Sequence, residues 1–86
     1  MEKLFHVNIL TPEQKIFEGE TVSLIVPAEL GYLGVLANHA PLVANLVPGK
    51  IIYRDAHAAG TIINNNGKGI LEVTANKATI LLDAIG

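Results

Sequence analysis

The stretch ILEVTANKATILLDAI, residues 70–85, is the longest run of this chain without Gly or Pro, and on length alone it could form a helix. Apolar and polar residues alternate on either side of Asn76, as in Leu71-Glu72-Val73-Thr74, and β-branched residues dominate. Alternation with a period of two and β-branching are typical of strands rather than helices. We therefore predict a β-hairpin that turns at residues 75–77.

Gly and Pro total 12 of the 86 residues and divide the rest of the chain into segments too short for an ordinary helix. The clearest alternation lies in residues 3–10 and 20–26, and a short strand at 15–17 is predicted to end in a Glu18-Gly19 turn. Further short strands are predicted at residues 32–36, 42–47, 50–56, 60–64 and 69–74. Nine or ten short strands predict an all-β fold, a ten-stranded antiparallel β-sandwich or flattened barrel formed by residues 1–86 as one domain.

The composition favours a small interaction domain. Hydrophobic residues make up 50% of the chain and charged residues 16%, against about 25% charged in an average domain. The six Lys and Arg residues are scattered and the net charge is −2, so no basic stripe is available to bind a nucleic-acid backbone. A domain of this size buries only about 60% of the surface of its unfolded chain. We therefore expect apolar surface to remain exposed for a partner.

Patterns of catalytic or metal-binding residues are missing from the sequence. The chain has no Cys, and its single serine, Ser23, is predicted in mid-strand, where a nucleophile lacks the exposed elbow it needs. The three His residues do not have the spacing of a metal site. We expect no catalytic, cofactor-binding or metal-binding residues. We also expect no signal peptide, and no membrane span in the uncharged residues 31–49, which contain Pro, Asn and His.

Lys77 offers one alternative function. Asn76-Lys77-Ala78 at a predicted hairpin resembles the Asp-Lys-Ala turn of lipoyl- and biotinyl-type carrier domains, in which the lysine is the attachment site of the cofactor. Those domains carry the lysine near the middle of the chain, whereas only nine residues follow Lys77 here. A solvent-exposed lysine in a turn is therefore the simpler interpretation, with the carrier domain as the alternative.

The most informative motifs are TPEQKIFEGE at residues 11–20 and GYLGVLANHAPL at residues 31–42, followed by LVPG at residues 46–49. Gly31 and Gly34 permit positive φ or a close backbone approach. The Tyr and Leu between them are therefore predicted to be presented on an exposed loop, where an aromatic and an aliphatic side chain suit a contact surface better than solvent.

Together with GILEV at residues 69–73, these motifs resemble, in order and from residue 4 to about residue 82, the N-terminal domain of the epsilon subunit of F-type ATP synthase, whose mitochondrial counterpart is called delta. The resemblance implies a non-catalytic β-sandwich in the central stalk that joins the gamma subunit to the c-ring. It would help to couple proton-driven rotation to ATP synthesis. It would be a peripheral membrane protein, without direct membrane insertion, at the cytoplasmic face of the bacterial inner membrane or the stromal face of the thylakoid.

The resemblance also assigns partners to individual residues. Gly31, Tyr32, Leu33 and Gly34 would form a loop that faces the c-ring, with Tyr32 at its tip. The residues that would face the gamma subunit are Thr11, His39, Leu42 and Ala44. Some relatives have an acidic residue at the position of Tyr32, so an ionic contact to the ring could be replaced here by a stacked or hydrogen-bonded one.

Family members usually continue into a charged, alanine-rich helical hairpin that is linked to inhibition of ATP hydrolysis and, in some members, to ATP binding. The 86 residues contain no such segment. We therefore expect no C-terminal helical hairpin, no nucleotide binding and no hairpin-type inhibition by this chain.

Overall fold

The computed structural model describes residues 3–57 and 59–83, and those residues include no helix. They form eight β-strands joined in one sheet, which folds back on itself into two layers. The strands are β1 (Phe5–Leu10), β2 (Lys15–Ala28), β3 (Gly31–Val35), β4 (Leu42–Leu46), β5 (Gly49–Asp55), β6 (Gly60–Asn65), β7 (Gly69–Thr74) and β8 (Lys77–Leu82).

The long strand β2 belongs to both layers. The first half of its 14 residues pairs with β1, and the second half pairs with β3 and β5. The first layer therefore has the order β4–β7–β8–β1–β2, and the second has the order β3–β2–β5–β6. The all-β sandwich class predicted from the sequence is confirmed, with eight strands among the described residues instead of ten.

The core lies between the layers and is built from the inward members of each alternating strand. Phe17 and Tyr53 stack with 4.1 Å between their ring centroids, which joins the first half of β2 to β5. The buried cluster comprises Phe5, Val7, Ile9, Leu24, Val26, Val35, Leu46, Ile51, Tyr53, Leu71, Val73, Ala78, Ile80 and Leu82.

Two sequence-based expectations about the strands are wrong. Glu18-Gly19 is not a turn, because β2 continues through it with Gly19 opposite Val7 of β1. A Cβ at Gly19 would lie 3.1 Å from Cζ of Phe17, so glycine here makes room for the Phe17 ring. The sheet is also not purely antiparallel: β1 and β8 run parallel, and this pairing closes the first layer around β1.

The β7–β8 hairpin is confirmed. Thr74 pairs with Lys77, and the two turn residues between them, Ala75 and Asn76, have φ values of 50° and 61°. Positive φ at both central positions is the hallmark of the type I′ turn, whose twist matches that of the flanking strands. The last residues of the predicted window, Ala84 and Ile85, lie outside the described residues.

Candidate interaction surface

The outward side of the first layer, called the first face below, changes character along its strands. At one end, Leu10, Ile70 and Leu81 are neighbours on adjacent strands. Ile70 is 45% exposed and Leu81 is 51% exposed. At the other end the face carries His6, with the carboxylates of Glu18 and Glu20 on either side of its ring. The first face is therefore apolar at one end and ionic at the other.

The apolar end of the first face opens into a groove of about 740 Å³, called the first groove. The β1–β2 connection supplies Thr11 and Pro12 to its lining, and Lys68 and Asp83 add charge. The Thr11 hydroxyl accepts a hydrogen bond from the Gln14 backbone N–H at 3.2 Å, which fixes the turn. Thr11, a predicted gamma-facing residue, thus lies in a preformed concave surface.

Another groove, of about 440 Å³ and called the second groove below, lies between the β2–β3 hairpin and β4. Leu30 at the hairpin turn is fully exposed, and Val43 on β4 is 68% exposed. The hairpin contributes Gly31, Tyr32 and Leu33, and β4 contributes Leu42, Val43, Ala44 and Asn45. Residues predicted to face the c-ring and residues predicted to face the gamma subunit therefore line one groove.

Glu29 and Asn45 contribute to the lining of both grooves. The Asn45 side-chain N–H donates to the Glu29 carboxylate at 3.2 Å, and the Glu29 backbone N–H donates to the Asn45 carbonyl, also at 3.2 Å. This paired contact connects β4 to the β2–β3 turn. The two grooves consequently form one extended surface with a polar divider.

The predicted loop at residues 31–34 is in fact part of a strand. Gly31 to Gly34 belong to β3, which pairs with β2, and the turn lies at residues 29–30. Leu30 therefore occupies the tip that was predicted for Tyr32. Gly31 has φ 124°, as expected from its permissive backbone, whereas a Cβ added to Gly34 would meet no atom within 4 Å.

Tyr32 is 62% exposed, but it is not free of the sheet. Its hydroxyl accepts a hydrogen bond from the Lys50 backbone N–H at 3.2 Å. A Cβ at Gly49 would lie 2.7 Å from Cβ of Pro27 and 3.0 Å from the Tyr32 hydroxyl, so the Pro27 side chain and this hydroxyl lie close over the β5 backbone. Tyr32 is thus an exposed side chain with a fixed position, as a contact residue requires.

On β4, two of the residues assigned to the gamma contact, Leu42 and Ala44, point toward the core. Leu42 packs against the core, and Ala44 pairs with buried Leu71, so both lean inward. The outward residues are Val43 and Asn45, which sequence reasoning missed. The polar Asn45 was the available signal, because residues two apart on a strand share a face and Val43 therefore shares its side.

His39 lies in the loop between β3 and β4, where the sequence placed it. Its Nδ1 lies 2.7 Å from the Ala40 carbonyl oxygen. Since a carbonyl can only accept, Nδ1 is the donor of this hydrogen bond. In the neutral ring this leaves Nε2 as an acceptor. His39 and Thr11 lie at opposite ends of β1, about 20 Å apart along the strand direction at ~3.3 Å per residue.

At the ionic end of the first face, His6 lies between two carboxylates of β2. Its Nε2 is 2.8 Å from Glu18 Oε2 and its Nδ1 is 2.7 Å from Glu20 Oε2. Both ring nitrogens donate, so these hydrogen bonds to Glu18 and Glu20 raise the pKa of His6. The ammonium of Lys15 and then the His6 ring lower the pKa of Glu18 to about 2.

The outward side of the second layer, called the second face below, carries a row of three isoleucines. Ile25, Ile52 and Ile62 are paired across adjacent strands. Lys50 and Arg54 lie two residues to either side of Ile52 on β5 and are exposed. The outward strand residues of this layer, within the described ranges, include no Asp or Glu.

The carboxylate at the β5–β6 turn has a structural role. The Asp55 carboxylate accepts hydrogen bonds from the backbone N–H groups of His57 and Ala59, so it stabilises a turn. Residues 3–57 and 59–83 hold no group of three or more His, Asp or Glu side chains placed for a metal ion. Within the same ranges no helix has the length and hydropathy needed to cross a membrane.

Comparison with known protein families gives one match over nearly the whole chain. The model of the ATP synthase delta/epsilon chain, beta-sandwich domain, matches residues 4–85. The ATP synthase epsilon chain of Dichelobacter nodosus is 37% identical over 83 residues, which are 96% of this chain and 57% of that protein. The epsilon chain of Xanthomonas campestris is 40% identical over 76 residues, 88% of this chain and 54% of that protein.

Two solved structures have the same fold. A chain of the mitochondrial ATP synthase of Euglena gracilis, in an OSCP/F1/c-ring structure, superimposes with a TM-score of 0.89 at 16% identity, over 96% of this chain and 52% of that one. A chain of the central stalk and c-ring structure of the Tetrahymena thermophila enzyme gives 0.79 at 14% identity, over 99% and 67%. At these identities the likeness concerns the fold.

The chain spans about half the length of the curated relatives it matches. Within that half, the match covers the described strands, the Thr11 turn and both grooves, and the identities of 37–40% apply to most of the chain. The chain belongs to the ATP synthase delta/epsilon family, of which it has the beta-sandwich domain.

Proposed function

We propose that this chain is a non-catalytic rotor subunit of an F-type ATP synthase, which joins the gamma subunit to the c-ring and helps to couple rotation to ATP synthesis. The observation that carries the proposal is the family match over residues 4–85. A mechanical joint needs shape-complementary apolar area with a polar rim rather than activated side chains. The two grooves, with Glu29 and Asn45 between them, have this composition.

The gamma-facing surface in this proposal is the apolar end of the first face together with the His39 loop. Thr11 lines the first groove, and Ile70 and Leu81 supply exposed apolar area beside it. On β4 we assign the contact to Val43 in addition to Leu42 and Ala44, because the Val43 side chain points outward. A partner that touches Thr11 and His39 together must extend along the strands.

The c-ring-facing element in this proposal is the β2–β3 hairpin with Gly31, Tyr32, Leu33 and Gly34. Leu30 at its turn is the most exposed large apolar side chain among the described residues. An exposed leucine beside an aromatic side chain with a fixed position has the character of an apolar anchor that a partner can bury. We propose that the subunit is peripheral to the membrane, at the cytoplasmic face in bacteria or the stromal face in thylakoids.

The proposal is tested by mixing the chain with the gamma subunit of the same organism at micromolar concentration. We expect a 1:1 complex on size-exclusion chromatography with light scattering. A chain that stays free of gamma at these concentrations would remove the proposed function.

Tyr32 tests the ring-facing half of the proposal. Tyr32→Ala is expected to keep the fold, because the ring is 62% exposed, and to weaken assembly with the c-ring by about tenfold. Tyr32→Phe is the matched control, since it removes only the hydroxyl that accepts the Lys50 N–H. Unfolding of Tyr32→Ala, measured by circular dichroism, would instead assign Tyr32 to the core.

A further inference from the structure

Three separate segments of the first layer meet at Asn76, which lies in the β7–β8 turn. Its Oδ1 accepts a hydrogen bond from the backbone N–H of Asn38 at 2.7 Å. Its Nδ2 donates to the carbonyl of Leu4 at 3.0 Å, and its own carbonyl accepts from the His6 N–H at 3.2 Å. One side chain therefore ties the β3–β4 loop to the chain segment that leads into β1.

The link to Asn38 adds a hydrogen bond to a loop whose preceding residue, Ala37, packs against the core. Asn38 has φ 63°, in the left-handed region that Asn enters more readily than most other non-glycine residues. Among the described residues, the Asn38 backbone N–H donates to Asn76 Oδ1 and to no other acceptor. Asn38 directly precedes His39, so the backbone position of His39 depends on this contact.

His39 is held from the other side as well. Its Nδ1 donates to the Ala40 carbonyl at 2.7 Å, which fixes the ring relative to the loop and leaves Nε2 to face outside contacts. A side chain that is held in place before binding loses less conformational entropy when a partner arrives. The loop thus has the properties of a preorganised recognition element.

We propose that Asn76 is a positioning residue that holds the His39 loop in its binding conformation, so that His39 can present Nε2 to the gamma subunit. This inference rests on the proposed function, because it takes gamma as the partner of His39. Asn76 contributes through the Asn38 N–H and the Leu4 carbonyl, and it touches the loop without belonging to the contact surface.

The test uses two variants of Asn76. Asn76→Gly keeps a residue that tolerates φ 61° and removes both side-chain hydrogen bonds. Asn76→Asp keeps the acceptor for the Asn38 N–H, replaces the donor to the Leu4 carbonyl by a carboxylate oxygen, and adds a negative charge in an exposed turn. We expect Asn76→Gly to weaken gamma binding about three- to tenfold, as for the loss of one or two hydrogen bonds, and Asn76→Asp to restore most of the affinity.

A double-mutant cycle with His39→Ala separates positioning from a general loss of stability. If Asn76 acts through His39, the double variant His39→Ala/Asn76→Gly binds gamma no more weakly than His39→Ala alone. Additive losses, or equal affinities of Asn76→Gly and the unmodified chain, would overturn the inference while the proposed function stands.

Amide hydrogen exchange of the free chain gives a readout that needs no partner. We expect the Asn38 N–H to exchange about tenfold faster or more in Asn76→Gly, and to remain protected in Asn76→Asp. Unchanged exchange would overturn the inference. Failure of the unmodified chain to bind gamma would overturn the proposed function and with it the role of Asn76 in gamma binding, while the exchange data would still decide whether Asn76 holds the loop.

Discussion

The two outer faces of the sandwich both expose apolar side chains, but they expose them in different surroundings. On the first face, Ile70 and Leu81 border a groove of about 740 Å³, next to strand-end loops. On the second face, Ile25, Ile52 and Ile62 form a flat row across adjacent strands. Exposed aliphatic residues are normal on a small domain, so exposure alone does not identify an interface. Concave shape and adjacent loops are what favour the first face.

The faces also differ in charge. The first face carries Glu18, Glu20 and Glu72, balanced in part by Lys15 and, when its ring is protonated, by His6. The second face carries Lys50 and Arg54 with no outward carboxylate on the strands of its layer within the described ranges. A chain with a net charge of −2 therefore has one mixed face and one basic face. The net charge of the whole sequence does not show that the positive charges of Lys50 and Arg54 lie on a face without carboxylates.

The largest expected effect is on the free energy of unfolding, and it tests which side chains of β8 point into the core and which point outward. Ile80 is fully buried and its neighbour Leu81 is 51% exposed. Ile80→Ala is expected to lower the free energy of unfolding by about 2–5 kcal/mol, because it leaves a cavity between the layers. Leu81→Ala is expected to cost about 1 kcal/mol or less. Urea unfolding of both variants makes the comparison, and equal losses would contradict the assigned orientation of β8.

A smaller loss of folding stability is expected for a substitution in the β2–β3 hairpin, which borders the second groove. Gly31 has φ 124°, which an L-residue adopts only with strain, so Gly31→Ala is expected to cost about 1–3 kcal/mol. Gly34→Ala is the matched control, since an added Cβ there meets nothing within 4 Å. Thermal unfolding of the pair measures the difference. If Gly34→Ala is the more damaging variant, the backbone of β3 differs from the one described.

Charge insertion compares the two faces directly. Ile70→Lys on the first face is expected to weaken gamma binding by about tenfold or more, because it places an ammonium at the edge of the first groove. Ile62→Lys, at a similarly exposed residue of the second face, is expected to leave the affinity unchanged, because that face lies outside the proposed gamma contact. Isothermal titration calorimetry provides both affinities. The reverse ranking would transfer the gamma contact to the second face.

The smallest expected effect concerns the ionic end of the first face. Because the pKa of His6 is raised, its stabilisation is complete below pH 6.5 and is lost as the pH rises through the raised value. The lowered pKa of Glu18 contributes stability above pH 4.5, which is lost as the pH falls toward about 2. We therefore expect this cluster to stabilise the fold most between pH 4.5 and 6.5.

Substitution of His6 tests this pH dependence. His6→Gln is expected to remove the small decline in melting temperature above pH 6.5, whereas His57→Gln, in an exposed turn, is expected to leave it in place. High salt should weaken the effect, because the cluster is largely exposed. A melting temperature of the unmodified chain that rises above pH 6.5 relative to His6→Gln would contradict the charge assignment.

The sequence was sufficient for the strands whose alternation is unambiguous. The strands β1 and β3 to β7 begin and end within two residues of the predicted positions, and the turn predicted at residues 75–77 has its two central residues at Ala75 and Asn76. The failures have physical reasons. Gly19 has the local signature of a turn, and only its cross-strand partner and the Phe17 ring show that it lies within a strand.

The candidate site was harder to predict than the fold because it is assembled from distant segments. The parallel β1–β8 pair and the Asn76–Leu4 contact join residues about 70 positions apart, and the Asn76–Asn38 contact joins residues 38 positions apart, which no local pattern encodes. On β4, three apolar residues follow one another, and only the polar Asn45 indicated that Val43 points outward and Leu42 inward. The motifs located the correct segments, and the side-chain directions required the structure.

We propose above all that the first face, with the first groove and the His39 loop, forms the gamma contact and that the second face does not. The most direct test is methyl NMR of the chain with labelled isoleucine, titrated with the gamma subunit. The account predicts that the Ile70 signal shifts or broadens on binding, while the signals of Ile25, Ile52 and Ile62 stay unchanged. Shifts confined to those three signals, with Ile70 unaffected, would contradict it.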